Sequence, residues 1–157
     1  MKERKTNAMR LLEQRGIAYE TVEYEVDEEH LDAITASRKA GIDPELVYKT
    51  IVMVGESGQV YVFVTPALFQ ISAKKARALT GEKALELLKL ELLQKVTGYI
   101  RGGCSPLGMI HRYPTFVEEL AQLEERIYVS AGLRGLQLAL SPDDLVAACE
   151  GSYASFT

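Results

Sequence analysis

Lys49 is the only charged side chain between Glu45 and Glu56. The segment around it, ELVYKTIVMV, is apolar at both sets of alternating positions, the pattern of a strand buried on both faces. A lysine there is costly unless its ammonium finds a partner or reaches water. No Asp or Glu lies beside it in the strand. Two readings stay open. The ammonium points into a pocket and meets an anionic or carbonyl-bearing ligand, or the side chain snorkels to the strand's end.

A second candidate is TGYIRGGCSPLG, residues 97–108, where four of twelve residues are glycine. Consecutive glycines let backbone N–H groups approach a ligand unobstructed, and such donors can stabilise a developing oxyanion. The structural alternative is a bulge or a sharp strand exit. Neither G-x-S-x-G nor GK[ST] is present, which excludes a nucleophile elbow and a P-loop. Cys104 with His111 as its base is the obvious nucleophile pair, and Ser105 follows it directly. Nothing in the sequence lowers the thiol's pKa, so a small buried side chain is the simpler reading of Cys104. A second glycine-rich bend, YVSAGLRG at residues 128–135, carries Ser130 and Arg134. It is either an ordinary turn or a place where Arg134 meets a phosphate.

His30, His111, Cys104 and Cys149 lack the paired spacing of a zinc site. Asp143 and Asp144 read as helix N-terminal charges. No metal and no cofactor is expected. Net charge is −4, which argues against a broad basic nucleic-acid surface. The basic start, MKERKTNAMR, reads as a solvated helical face. Two cysteines are too few for a disulfide scaffold and fit a reducing compartment. No apolar run nears the roughly 18 residues of a membrane span, and no signal peptide is evident. A cytoplasmic protein is expected. The 157 residues suit one domain, residues 1–157.

Elements must position these groups. Thr6 caps a first helix that closes at Gly16. IAYETVEYEV alternates as a strand, EEHLDAITASRKAG reads as a helix, and GIDPEL as a turn. ELVYKTIVMV and QVYVFVTP form a hairpin through GESG. Ser72 caps AKKARALT, which stops at Gly81. Periodicity suggests one helix over residues 82–96. TGYIRGG reads as a strand entering the glycine loop, and RIYVSAGLRGLQLAL as two strands around a bend. SPDDL starts a helix with Ser141 as cap and Pro142 first. The class is α+β, a curled mixed sheet with peripheral helices.

YKT at residues 48–50, TGYIRGGCSPLG, and IYVSAGLRGLQLAL followed by SPDDL together resemble the YbaK/EbsC family. These are free-standing aminoacyl-tRNA deacylases related to the editing domain of bacterial prolyl-tRNA synthetases. The branch acting on Cys-tRNA(Pro) is nearest. The resemblance runs from the first helix to the last. It implies a barrel-like mixed sheet and a pocket in which Lys49 holds the aminoacyl end and Thr50 shapes the wall. Backbone donors would come from Gly102 and Gly103, with Pro106 stiffening their loop. Tyr24, Ser105, Ser130 and Arg134 would join the substrate-binding set, and Leu31 falls where phenylalanine is typical. The family also implies a short strand and then a helix from about Leu90, against the single helix that periodicity suggests. The implied reaction is deacylation of mischarged Cys-tRNA(Pro), in which the substrate's own thiol attacks its ester. The partners would be the tRNA's CCA end and prolyl-tRNA synthetase. Ala-tRNA(Pro) as substrate, or a non-catalytic module docked on a synthetase, are the alternatives.

Overall fold

Local side chain-to-backbone bonds set the helix starts. In a computed structural model describing residues 5–157, Thr6 accepts from the Met9 N–H at the head of α1 (Asn7–Gln14). The first four residues of the basic N-terminal stretch lie outside the described residues. Ser72 caps α3 (Ala73–Thr80) and Ser141 caps α5 (Pro142–Cys149) in the same way. Helix α2 (Ala33–Ala40) begins later than EEHLDAITASRKAG suggests. Asp32 takes the cap position, accepting from the Thr35 N–H and hydroxyl at 2.9 and 2.8 Å, and Asp27 turns the preceding segment by accepting from the Glu29 N–H.

The hairpin is formed as the sequence suggests. Strand β2 (Tyr48–Gly55) pairs antiparallel with β3 (Val60–Pro66), placing Lys49 opposite Thr65. The periodicity reading of residues 82–96 is overturned. Strand β4 (Leu85–Leu87) pairs with β2, a 3₁₀ turn spans Leu90–Leu92, and α4 (Leu93–Thr97) is short. Edge pairing to β2 outweighs the helical spacing of the leucines. TGYIRGG is not a strand either. Gly98 ends α4, and the buried Tyr99 donates its hydroxyl to Leu107 O at 2.6 Å, folding the segment back on itself.

Two strands escape a reading by pattern because they are short and pair with partners distant in sequence. Strand β5 (Thr115–Glu118) runs parallel to β3, and β8 (Ser152–Ala154) parallel to β5. The five-stranded sheet has the order β4-β2-β3-β5-β8. A three-stranded antiparallel sheet has β7 (Leu136–Leu140) between β1 (Glu20–Glu23) and β6 (Ile127–Ser130). Parallel and antiparallel pairs coexist, so the architecture is mixed α+β. The sheets do not close into a barrel. A single isolated parallel bridge, Val47 to Tyr128, joins them at a seam.

The main core lies between α1, α5 and the three-stranded sheet and includes Leu12, Val129, Leu138 and Leu145. A second cluster under α3 gathers Phe63, Phe156 and Ala76, with the Phe63 and Phe156 rings edge to face at 5.1 Å. A third, smaller cluster of Ile42, Val47 and Ala67 holds α2 against the seam. No helix of the described residues is long and apolar enough to cross a membrane.

Candidate active site at the sheet seam

A cavity of about 220 Å³ opens where the two sheets meet. Its floor is the start of β2, residues Val47 to Thr50. Its far wall is Ser130 at the end of β6 and Gln137 of β7, and Leu31, Asp32 and α2 roof it. Gly102 and Cys104 complete the rim, and Tyr24 enters from beyond β1, held by its N–H to Gly135 O at 2.9 Å. The volume is below the roughly 300–1,000 Å³ of drug-sized ligand pockets. It suits one small residue.

Lys49 is half-buried. Its ammonium has one long contact, 3.4 Å to Ala67 O, and no carboxylate partner among the described residues. Burial pushes its pKa below the ordinary lysine value. Both facts describe a cation with unspent hydrogen-bonding capacity.

The cavity also holds two orphans. Among the described residues, two buried side-chain polar atoms lack any hydrogen-bond partner, Thr50 Oγ1 and Gln137 Oε1. Both residues line this cavity. Gln137 is 5% exposed. Leaving such groups unpaired costs about 1–3 kcal/mol each, and both sit in residues of the cavity wall with the oxygens themselves buried. Gln137 was not singled out from the sequence. Its signal in LQLAL, an uncharged polar residue among apolar strand positions, is weaker than that of Lys49.

The glycine loop works differently from the expectation. Gly103 donates its N–H to Ile100 O at 3.0 Å, closing a four-residue turn with Gly102 in third position at φ +85°. A type II turn needs that left-handed value. The Gly103 N–H is therefore spent, whereas the Gly102 and Cys104 N–H groups meet no acceptor among the described residues. Gly103 has a packing role. A Cβ on it would stand 3.0 Å from the Arg134 N and Leu133 C atoms, so the two glycine-rich bends press together backbone on backbone. Arg134 clamps the contact by donating from Nε to Arg101 O at 2.8 Å.

Ser105 and Pro106 do not line the cavity. Ser105 is fully buried and accepts from the Leu107 N–H, stiffening the loop from within. Pro106 lines a separate cavity with Arg15, His111 and Glu150. Cys104 and His111 thus face different cavities. Burial pushes the Cys104 thiol up to about 11, and Cys149 likewise to about 11. At those values both thiols are largely protonated at neutral pH. Ser130 accepts from the Gly132 N–H at 3.2 Å, and no histidine lines the cavity to activate it. Asp32 is committed to capping α2, and the backbone bond from Thr35 holds its pKa below the usual carboxylate value. Among the described residues, no three His, Cys, Asp or Glu side chains cluster as metal ligands would.

A cavity of unspent donors and acceptors without an activated nucleophile is unusual for a hydrolytic site. The model of the aminoacyl-tRNA editing domain matches residues 27–148. The chain belongs to the aminoacyl-tRNA editing family. EbsC of Enterococcus faecalis, named a Cys-tRNA(Pro)/Cys-tRNA(Cys) deacylase, is 40% identical over 155 residues, spanning 99% of this chain and 94% of that protein. YwhH of Bacillus subtilis is 27% identical over 110 residues, 70% of this chain and 69% of that one. A solved structure described as a trans-editing enzyme for prolyl tRNA synthetase shares the fold, with TM-score 0.85, 24% identity and 99% of each chain covered. All the cavity's lining residues except Tyr24 fall within the segment that matches the editing domain.

Proposed function

We propose that this chain deacylates mischarged Cys-tRNA(Pro), with the cysteinyl group bound in the seam cavity. The observation that carries the reading is that Lys49, Thr50, Gln137, Gly102 and Cys104 line one small cavity, while Thr50 Oγ1, Gln137 Oε1 and the Gly102 and Cys104 N–H groups have no partner among the described residues. A cysteinyl ester supplies what they lack. Its α-ammonium donates to Gln137 Oε1 and Thr50 Oγ1. Its carbonyl oxygen accepts from the loop N–H groups, and Lys49 holds the ester from the β2 side. Such preorganised donors favour charge as it develops on that oxygen.

The substrate thiol is the nucleophile. Its sulfur bonds to the ester carbonyl carbon, the carbon–oxygen bond to the terminal ribose breaks, and the thiol proton ends on the released ribose oxygen. Water then opens the thiolactone. The protein contributes orientation and electrostatics. The absence of an activated protein nucleophile from the lining supports this, and the name carried by EbsC supports the substrate. The name of the structural neighbour supports work alongside prolyl-tRNA synthetase.

The test is single-turnover deacylation of Cys-tRNA(Pro) and Ala-tRNA(Pro). Wild type should clear the cysteinyl ester in preference to the alanyl ester, and Lys49→Ala should lose about 100-fold, the scale of a removed oxyanion donor. Cys104→Ala should retain turnover. Loss of activity in a folded Cys104→Ala protein would return the chemistry to the protein's own thiol, and preference for the alanyl ester would reassign the substrate.

A further inference from the structure

Beside the seam cavity runs a second, open groove, walled by Ile51 and Val52 of β2 and by Leu87, Leu88, Leu90 and Leu93. Leu87 and Leu90 are 65% and 55% exposed, so their apolar surface is left to solvent at an energetic cost. The groove shares Thr50, Gly102 and Cys104 with the cavity, so the two adjoin at the loop rim. One charged residue lines the groove, Arg101. Its carbonyl is occupied by Arg134, which fixes the turn. Its guanidinium has no hydrogen-bond or ion-pair partner among the described residues.

We propose that this groove seats the 3′-terminal nucleotide of the aminoacyl-tRNA, its base against the leucines and its phosphate on Arg101. The inference rests on the reading that an aminoacyl ester occupies the cavity. The ester ties the amino acid directly to the terminal ribose, and a cavity of about 220 Å³ has no room for base, ribose and phosphate beside it. The nucleotide must leave through an opening that adjoins the cavity. This groove offers an apolar face for a base, a fork of donors for a phosphate, and no carboxylate in its lining to repel one. A hydrophobic protein partner would use the leucines but would leave the lone arginine unexplained.

The experiment compares kcat/KM for Cys-tRNA(Pro) with kcat/KM for cysteine ethyl ester, which carries no nucleotide. In Leu90→Glu and in Arg101→Ala, the tRNA-to-ethyl-ester ratio should fall about tenfold or more, in line with the loss of one stacked base or phosphate contact. Arg101→Lys should recover part of the ratio. Both side chains are exposed, so the variants should fold. A wild-type ratio in both variants overturns the proposal. So does a change of sedimenting mass in Leu90→Glu with the ratio intact, which would assign the groove to a second copy of the chain. Wild-type protein that turns over neither ester is a separate result, and it removes the functional reading beneath the proposal.

Discussion

Lys49 sits in β2 with its ammonium half-buried and without a carboxylate. Desolvation disfavours its charged form, so its folded pKa lies below the unfolded value. Between the two values the unfolded chain binds more protons, and this residue's contribution makes stability rise with pH across that alkaline window. On the role proposed for Lys49, activity runs the other way, because the ammonium is the working form. Single-turnover rates, corrected for spontaneous ester hydrolysis, should fall at a lower pH than a free lysine would dictate. Lys49→Arg should flatten that limb, since guanidinium stays charged. Gln137 gives a complementary prediction. Its Oε1 is buried without a partner, so Gln137→Met should raise unfolding free energy by about 1 kcal/mol while lowering kcat/KM. Denaturant unfolding and the deacylation assay report the two effects separately. These residues also show what can be read from one chain. Lys49 stands out because a charge in an apolar strand is conspicuous. Gln137 does not, because an uncharged polar residue at an alternating position passes for a solvent-facing one until its burial is known.

The two glycine bends carry the site at the level of elements. A side chain at residue 102 would meet Arg134 Nε and Leu31 Cδ2, both at 3.3 Å, in a backbone at φ +85°. Gly102→Ala should therefore cost roughly 1–2 kcal/mol, the penalty of a left-handed backbone for an L-residue, with a lowered Tm. It should also slow deacylation, because the N–H donors move with the turn. Helix starts were legible because caps are local, as Thr6, Ser72 and Ser141 show. Periodicity misread the segment from Glu82 to Val96, because its leucines satisfy a helical period while β2 offers a free edge; the family resemblance alone implied its short strand and the helix after it. Strands β5 and β8 are four and three residues long, too short for alternation to be distinctive. Their pairing depends on chain brought in from far away.

For the molecule as a whole, closure depends on Glu118. Its buried carboxylate accepts from the Phe156 and Thr157 N–H groups at 2.9 and 3.0 Å and from the Thr157 hydroxyl at 3.1 Å. Those bonds hold Phe156 under Phe63 and align β8 beside β5. Glu118→Ala strands these donors and should cost roughly 2 kcal/mol, measured by chemical denaturation, without touching the seam cavity. One property of the folded chain reaches into the bench chemistry of its substrate. Both protein thiols are held near 11, so their thiolate fraction at neutral pH is about a few hundredfold smaller than that of free cysteine. An alkylating reagent will therefore cap the thiol of the cysteinyl ester and spare the protein. Turnover should then stop while the catalyst stays intact, which tells a substrate thiol from a protein thiol as the nucleophile.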